Sequence, residues 1–287
     1  MPAYVNFVIA GFLTGAVYGL MALGLSVIFG VVRIVNFAHG EMMVLGMYAT
    51  ILLNQYLGLD PLLCAPLDAA LLFALGYALQ RGLINRYIAR PEHEQFILML
   101  GIATLLTSSM LMGFGPDARN VQPDYALDSY EIGSLVLDKV RVFAAAGAVV
   151  SVGLLWGFFR LSRTGKAIRA CADNHTGAQV VGLDVGRLYA VTFGIGAACV
   201  GAAGTLMLLL VDVQPYLASD YTLLSFTIVI IGGLGSMPGA LLGGLLIGVS
   251  EGLSAYLINP SLKSLTSFGL LILVLLMRPQ GLLGRRA

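Results

Sequence analysis

Short polar segments interrupt an otherwise apolar chain, and any chemistry must lie in them. The segment Val35-Asn36-Phe37-Ala38-His39-Gly40-Glu41 places an amide, an imidazole and a carboxylate between two long apolar runs. These groups can hold a proton or a polar solute. They can also cap a helix, with Asn36 or His39 before its first turn and Glu41 near its positive N-terminus. The sequence leaves both roles open.

A second interruption is Gly232-Gly233-Leu234-Gly235-Ser236-Met237-Pro238-Gly239, in the middle of the uncharged run 221–250. Four glycines and a proline predict a broken or re-entrant helix. Broken helices in a membrane often lie beside a transport path, because unwound backbone needs protein or water around it. The alternative is a plain cytoplasmic turn. The residues expected to line a path are Asn36, His39, Glu41, Gly232, Gly233, Gly235 and Ser236.

Two single carboxylates, Asp68 and Glu251, fall among apolar residues. Acids inside a membrane are costly, so each is a candidate for function by default. Structural pairing is the alternative for both, with Lys263 as a partner for Glu251.

Catalysis is not predicted. The pair Gly165-Lys166 is followed by alanine and lacks the earlier glycine of a phosphate-binding loop. The three histidines lie far apart, and the three cysteines have no metal-ligand spacing and are expected to serve as small apolar fillers. We therefore expect no catalytic residues, no metal, no cofactor and no nucleic-acid partner. If ATP drives this system, another chain binds it.

The elements that must position these residues are long apolar helices. Met1 to Val32 contains no charged side chain, and about 20 residues suffice to cross a bilayer. Hydrophobic residues make up 58% of the chain and charged residues 11%. The runs are apolar on all sides, which excludes the alternation of a membrane barrel. The fold class is all-α, a polytopic transmembrane helical bundle of about eight spans, with seven to nine possible.

The spans are predicted by their apolar runs at about 5–31, 42–59, 62–80, 96–115, 142–159, 188–211, 222–258 and 264–277. The stretch 222–258 must cross twice as two short helices or re-enter. Basic residues cluster near 81–90, in 160–187 and at Arg278, Arg285 and Arg286, which predicts a cytoplasmic side for all three clusters and for the C-terminus. The acidic stretch 116–141 is predicted to be an external loop.

Glycines recur every fourth residue in two stripes, Gly11, Gly15 and Gly19, and Gly244, Gly248 and Gly252. Such stripes let helix backbones approach closely. We expect the two stripes together to serve tight packing, including packing with a partner subunit; the alternative for either stripe is the ordinary enrichment of glycine in membrane helices.

The internal loop 160–187 carries alanines and an isoleucine at helical spacing among basic residues. It is compatible with a short helix that docks into a partner, or with a basic anchor that only holds the loop inside.

Three motifs together resemble the LivH-type permeases of branched-chain amino acid ABC importers: Val32 to Glu41, Gly165 to Leu183, and Gly232 to Gly244. The resemblance covers essentially the whole chain, 1–287, as a single ABC-importer permease domain. It implies a bacterial inner membrane, a second LivM-type permease, two ATPase subunits and a periplasmic substrate-binding protein. The family's cytoplasmic coupling segment corresponds to Gly165, Lys166, Ala167, Arg169, Ala170, Asn174, Ala178 and Gly182. Lys166 replaces a common arginine, and Leu183 a common isoleucine.

The function expected from this resemblance is ATP-driven import of branched-chain, hydrophobic amino acids. Similar permeases carry urea, short amides or other amino acids, so these substrates remain alternatives. An ion-coupled secondary carrier that uses Asp68, Glu251 or His39 is a rival of another class, and a passive channel is a second.

Overall fold

Apolar helices make up most of the structure, a computed structural model that describes residues 4–133, 135–259 and 262–284. Eleven α-helices are assigned among these residues: α1 Tyr4–Val32, α2 His39–Leu57, α3 Pro61–Gly82, α4 Glu92–Phe114, α5 Lys139–Leu161, α6 Arg163–Asp173, α7 His175–Val180, α8 Val185–Leu208, α9 Leu217–Gly232, α10 Met237–Leu257 and α11 Lys263–Met277. The all-α membrane bundle is confirmed, and Arg285 and Arg286 lie outside the described residues.

Six of these helices are long and apolar enough to cross a membrane, judged over the described residues: α1, α3, α4, α5, α8 and α10. Two shorter apolar helices, α9 and α11, and the more polar α2 complete the bundle. The predicted run 222–258 forms two helices joined by a four-residue turn, which agrees with the two short helices that the sequence allowed for this run.

Helices α1 and α8 form the centre of the bundle, with 83% of their apolar windows buried. Only 22% to 28% of the corresponding windows of α3, α4 and α5 is buried within this chain, as expected for helices that face lipid. α1 packs antiparallel to α10, and α3 packs antiparallel to α8.

The two glycine stripes pack against each other. A Cβ at Gly15 would lie 2.8 Å from the Gly244 carbonyl oxygen, and a Cβ at Gly11 would collide with the Gly248 carbonyl oxygen. The stripes therefore bring α1 and α10 together within this chain. The expectation that they also serve a partner subunit is wrong for the faces in this contact, because those faces are already occupied.

The basic linkers meet at one end of the bundle, which we call the basic end. There the side-chain amide of Asn85 donates to the Gly186 carbonyl oxygen at 3.1 Å, which joins the α3–α4 linker to the start of α8. α6 packs against α5, α8 and the C-terminal part of α1 at this end.

The acidic linkers meet at the opposite end, which we call the acidic end. Arg119 and Val213 exchange two backbone hydrogen bonds, and the Tyr125 hydroxyl donates to the Asp60 carboxylate at 3.0 Å. Burial and the Asp60 charge raise the pKa of Tyr125 above its usual range. The predicted loop 116–141 also contains a β-hairpin, β1 Ser129–Ile132 with β2 Leu135–Asp138, and α5 begins inside its predicted bounds.

Candidate translocation and coupling sites

The start of α2 is a buried polar cluster in the middle of the bundle. Asn36 and His39 are fully buried, and Glu41 is 6% exposed. The His39 Nε2 lies 3.0 Å from the Met21 carbonyl oxygen of α1. Because a carbonyl only accepts, Nε2 carries the proton, and Nδ1 has no hydrogen-bond partner among the described residues.

Thr222 of α9 closes this cluster from the other side. Its hydroxyl accepts from the Gly40 amide at 2.9 Å and lies 3.2 Å from the Glu41 carboxylate, which accepts from it. Sequence reasoning missed Thr222. No local signal singles it out, because α9 also carries the hydroxyl residues Ser225 and Thr227 near its middle.

The predicted capping roles at α2 are wrong in detail. Ala38 is the N-cap and has no side-chain hydrogen bond to the helix, while His39 is the first helical residue. Asn36 instead accepts from the Ala38 amide at 3.0 Å in a local turn before the helix. Glu41 does lie in the first turn, as expected near a helix N-terminus.

The glycine-rich break separates α9 from α10 and lies against the C-terminal part of α1. Gly233 and Gly235 have φ angles of 106° and 78°, a backbone region that favours glycine. The Ser236 hydroxyl accepts from the Gly239 amide at 3.2 Å and caps α10. A Cβ at Gly235 would lie 3.3 Å from the Gly30 Cα. The helix break is therefore confirmed, and it is a compact turn.

The C-terminal segment after α11 packs onto this turn. The amides of Leu282 and Leu283 donate to the carbonyls of Ile231 and Gly232 at 2.8 and 2.9 Å. These carbonyls end α9 and would otherwise lack partners. Gly232 and Gly233 are buried beneath this contact, whereas Gly235 is exposed and Ser236 half-buried. The turn does not contact the His39 cluster through any described hydrogen bond.

Asp68 is buried between three helices. Its Oδ2 accepts from the hydroxyls of Thr50 on α2 and Thr205 on α8, the latter at 2.7 Å. Oδ1 has no hydrogen-bond partner in the described part of the chain. The two hydroxyls lie 3.0 Å apart, so the site is a tight hydrogen-bonded triangle that ties α2, α3 and α8 together.

Glu251 of α10 is also held by hydroxyls. It accepts from Tyr18 of α1 at 3.0 Å and from Ser267 of α11 at 2.9 Å. No ion pair within 4 Å joins it to Lys263 among the described residues, so the predicted pairing is replaced by these two hydrogen bonds. Both carboxylates are structurally partnered, and neither lies in the His39 cluster.

The predicted coupling segment forms two helices at the basic end, α6 and α7. Ser162 caps α6 by accepting from the Gly165 amide at 2.9 Å, and Asn174 caps α7 by accepting from the Gly177 amide at 2.8 Å. Asn174 thus ends one helix and starts the next, so the loop that was predicted to be compatible with a short helix contains two. Gly182 follows α7 with φ of +83°, as expected for glycine after a helix.

The two faces of this segment differ. Gly165, Ile168 and Cys171 are buried against the bundle, and burial raises the pKa of the Cys171 thiol. Gly165 cannot carry a side chain without meeting the Phe159 Cα at 2.7 Å. The outward face is exposed and consists of Lys166, Arg169, Ala170 and Asn174, followed by Val180 and Val181, which are 82% and 75% exposed. Ala167 is half-buried and Ala178 buried.

Metal binding finds no support in the described residues, which contain no group of three or more potential metal ligands. The cysteines Cys64, Cys171 and Cys199 are unpaired and buried, in agreement with their predicted role as apolar fillers.

Comparison with known proteins gives a consistent result over the length of the chain. Residues 7–275 match the sequence profile of a family described as "Branched-chain amino acid transport system / permease component". The permease LivH of Escherichia coli K12 is 33% identical over 96% of this chain and 94% of its own length. BraD of Pseudomonas aeruginosa is 30% identical over 98% and 96%. LivM of Salmonella typhimurium is 28% identical over 93% of this chain and 68% of its own length.

Proposed function

This chain belongs to the family of branched-chain amino acid transport permeases, and from this premise we propose that it is the LivH-type permease subunit of an ATP-driven importer for these amino acids. It is a multi-pass membrane protein, and its relatives are transport subunits. The proposed location is a bacterial inner membrane. The single observation that carries the proposal is the full-length match to LivH and BraD, since the match includes every helix between α1 and α11.

The proposed partners follow from the family and from the two ends of the bundle. A LivM-type second permease would complete the path, and the weaker similarity of this chain to LivM supports two related subunits rather than two identical ones. Two ATPase subunits would bind at the basic end, and a periplasmic substrate-binding protein would dock at the acidic end. This assignment of the ends follows the positive-inside rule.

Coupling to the ATPases is proposed to pass through α6 and α7. Their buried face holds them rigidly to α5 and α8, while Lys166, Arg169 and the exposed valines face outward. Movement of an ATPase that grips this outward face would be transmitted to α8, which lies at the bundle centre. A rigid link of this kind requires close packing at Gly165.

The proposed path uses the buried polar cluster at the start of α2. Its backbone amides, the Glu41 carboxylate and the Thr222 hydroxyl can exchange their present partners for the polar groups of a passing solute. The turn at 233–236 is proposed to position the neighbouring helix ends rather than to contact solute, because its glycines pack against backbone. These roles remain predictions.

The experiment is uptake of radiolabelled leucine by vesicles that contain this chain with its second permease, the ATPases and the binding protein. ATP-dependent uptake that Arg169→Glu lowers at least tenfold supports the proposal, provided that membrane abundance is unchanged. Arg90→Glu, an exposed change at the same end but outside α6 and α7, is the matched control. Uptake that resists loss of ATP and stops with an uncoupler would instead support the ion-coupled carrier. Uptake of urea or short amides with no uptake of leucine would assign the alternative substrates.

A further inference from the structure

A cavity of about 390 Å³ opens at the acidic end, away from the cluster at the start of α2. It lies between the first turns of α1, the end of α10, the hairpin and the starts of α5 and α11. Its volume falls near the lower end of the ~300–1,000 Å³ range typical of small-molecule sites. This is the size class of a single amino acid rather than of a peptide.

The walls of the cavity carry both signs of charge. Glu251 and Asp138 contribute carboxylates, and Arg141 and Lys263 contribute cations. The two pairs balance, so the cavity favours a ligand with no net charge that carries one group of each sign. Apolar atoms of Phe7, Ala10 and Ala255 line the remainder.

The acidic side of the cavity is preorganised. Tyr18 and Ser267 hold the two oxygens of Glu251 from different helices, at 3.0 and 2.9 Å. A carboxylate accepts about four hydrogen bonds, so each oxygen keeps capacity for a further donor. Asn6 also lines the cavity, and its side-chain oxygen is buried without a hydrogen-bond partner among the described residues. A buried acceptor without a donor is costly, and a ligand ammonium would supply the donor.

The basic side keeps free donors as well. The Nε of Arg141 donates to Asp138 at 2.7 Å, which leaves the terminal nitrogens of the guanidinium for a second carboxylate. Lys263 makes no ion pair within 4 Å in the described ranges of the chain, and its side chain is exposed at the cavity.

We propose that this cavity is a binding site for an amino acid zwitterion, with Glu251 and Asn6 on its ammonium group and Arg141 and Lys263 on its carboxylate. The identity of the solute rests on the proposed function. The site itself lies outside the helix break and the α2 segment. The cavity is joined to the α2 cluster through α1, since Tyr18 and Met21 are three residues apart and about 4.5 Å apart along the helix axis.

The test uses tritiated L-leucine and the full chain in nanodiscs, together with uptake in the assembled transporter. Glu251→Gln and Arg141→Gln are each expected to weaken leucine binding about tenfold or more, since each removes a charged hydrogen-bond partner. Matched controls at the same end are Glu131→Gln, which removes an exposed charge, and Lys139→Gln, which removes a half-buried cation paired with Asp128; neither residue lines the cavity. Controls that bind like the unmodified chain complete the expected result.

Two competitors that each lack one charge sharpen the test. In the unmodified chain, 3-methylbutylamine, which lacks the carboxylate, and 4-methylpentanoate, which lacks the ammonium, should both compete poorly with leucine. The Glu251→Gln protein has already lost the carboxylate that would bind the ammonium, so a ligand without an ammonium should bind it almost as tightly as leucine does. In this variant, 4-methylpentanoate should therefore compete nearly as well as leucine. Ala255→Phe, which fills the cavity without changing its charges, should abolish binding while thermal stability is retained.

The failures are distinguishable. Leucine uptake by the unmodified transporter that persists in Glu251→Gln, Arg141→Gln and Ala255→Phe overturns this site and leaves the proposed function in place. Absence of leucine uptake by the unmodified transporter overturns the proposed function. A lipid headgroup such as phosphatidylethanolamine carries the same two charges. Leucine binding that is lost in phosphatidylethanolamine nanodiscs and retained in phosphatidylglycerol nanodiscs would assign the cavity to lipid and overturn the solute assignment.

Discussion

The Gly40 amide of α2 donates to the Thr222 hydroxyl of α9 at 2.9 Å, which fastens the start of α2 in the middle of the bundle. The contact is possible because Gly40 has no side chain. A Cβ there would collide with the Ala218 carbonyl oxygen and would lie 2.6 Å from the Thr222 amide nitrogen. The polar cluster around His39 and Glu41 therefore depends on a close approach between two backbones.

Gly40→Ala is expected to destabilise the protein by about 1–3 kcal/mol, because the added methyl group overpacks a rigid backbone contact. Thermal unfolding in detergent, followed by tryptophan fluorescence or scanning calorimetry, measures the change. Gly101→Ala on α4 is the control, since a Cβ at Gly101 meets no atom within 4 Å. Equal stability of the two variants would contradict the packing described for α2 and α9.

Gly233 and Gly235 should respond differently to substitution by asparagine. Asparagine tolerates the left-handed conformation of Gly235, which is exposed and has φ of 78°. Gly233 has φ of 106° and ψ of 120°, outside that conformation, and its Cβ would meet the C-terminal segment at Gly284. We expect Gly235→Asn to keep leucine uptake within about twofold of the unmodified chain, and Gly233→Asn to lose both uptake and thermal stability.

The structure changes one part of the sequence expectation for this turn. The sequence analysis places Gly233 and Gly235 among the residues that line a path, and a bulky side chain in a path would block uptake and leave assembly intact. Because Gly233 packs against backbone, its replacement should impair folding as well. Loss of uptake by Gly233→Asn at full stability would restore the path interpretation.

Asp68 should tolerate replacement by asparagine. The side-chain amide oxygen that Asp68→Asn introduces can still accept from Thr50 and Thr205, so the triangle between α2, α3 and α8 remains bonded. Asp68→Leu removes the acceptor that joins the three helices and leaves Thr50 and Thr205 only the Gly46 and Gly201 carbonyls of their own helices, which should lower the free energy of unfolding by about 1–3 kcal/mol. Uptake and thermal unfolding of the two variants measure this difference. Abolished uptake in a stable Asp68→Asn protein would identify Asp68 as an ion-coupling group.

The sequence predicted the membrane helices well because long apolar runs have one stable backbone solution in lipid. Nearly every predicted span coincides with a helix to within a few residues, and the break at 232–239 lies where four glycines and a proline remove helix propensity. The α6–α7 segment was also predictable, since alanine spacing and the basic residues mark a short amphipathic helix.

The tertiary contacts were not predictable from one chain. Neither the pairing of the two glycine stripes nor the meeting of Gly40 with Thr222 has a local signal, because each joins residues about 180 or more positions apart. The hydroxyl partners of Asp68 and Glu251 were missed for the same reason. Threonine, serine and tyrosine are common in helices, and only the packing selects which of them face a carboxylate.

Cys171 reports whether α6 stays packed on the bundle. Its thiol is 2% exposed on the inner face of α6, and burial raises its pKa. Because the thiolate is the reactive form, a raised pKa leaves less of it at neutral pH, so maleimide labelling should be slow at pH 7 and should increase as pH rises.

In a Cys64→Ala, Cys199→Ala background, Val180→Cys on the exposed face should label rapidly at pH 7 and serves as the control. Gly165→Val should accelerate labelling of Cys171, since the added side chain forces α6 away from Phe158 and Phe159 of α5. Labelling of Cys171 in the unmodified α6 as fast as that of Val180→Cys would show that α6 does not pack as described, and would remove the rigid link on which the proposed coupling depends.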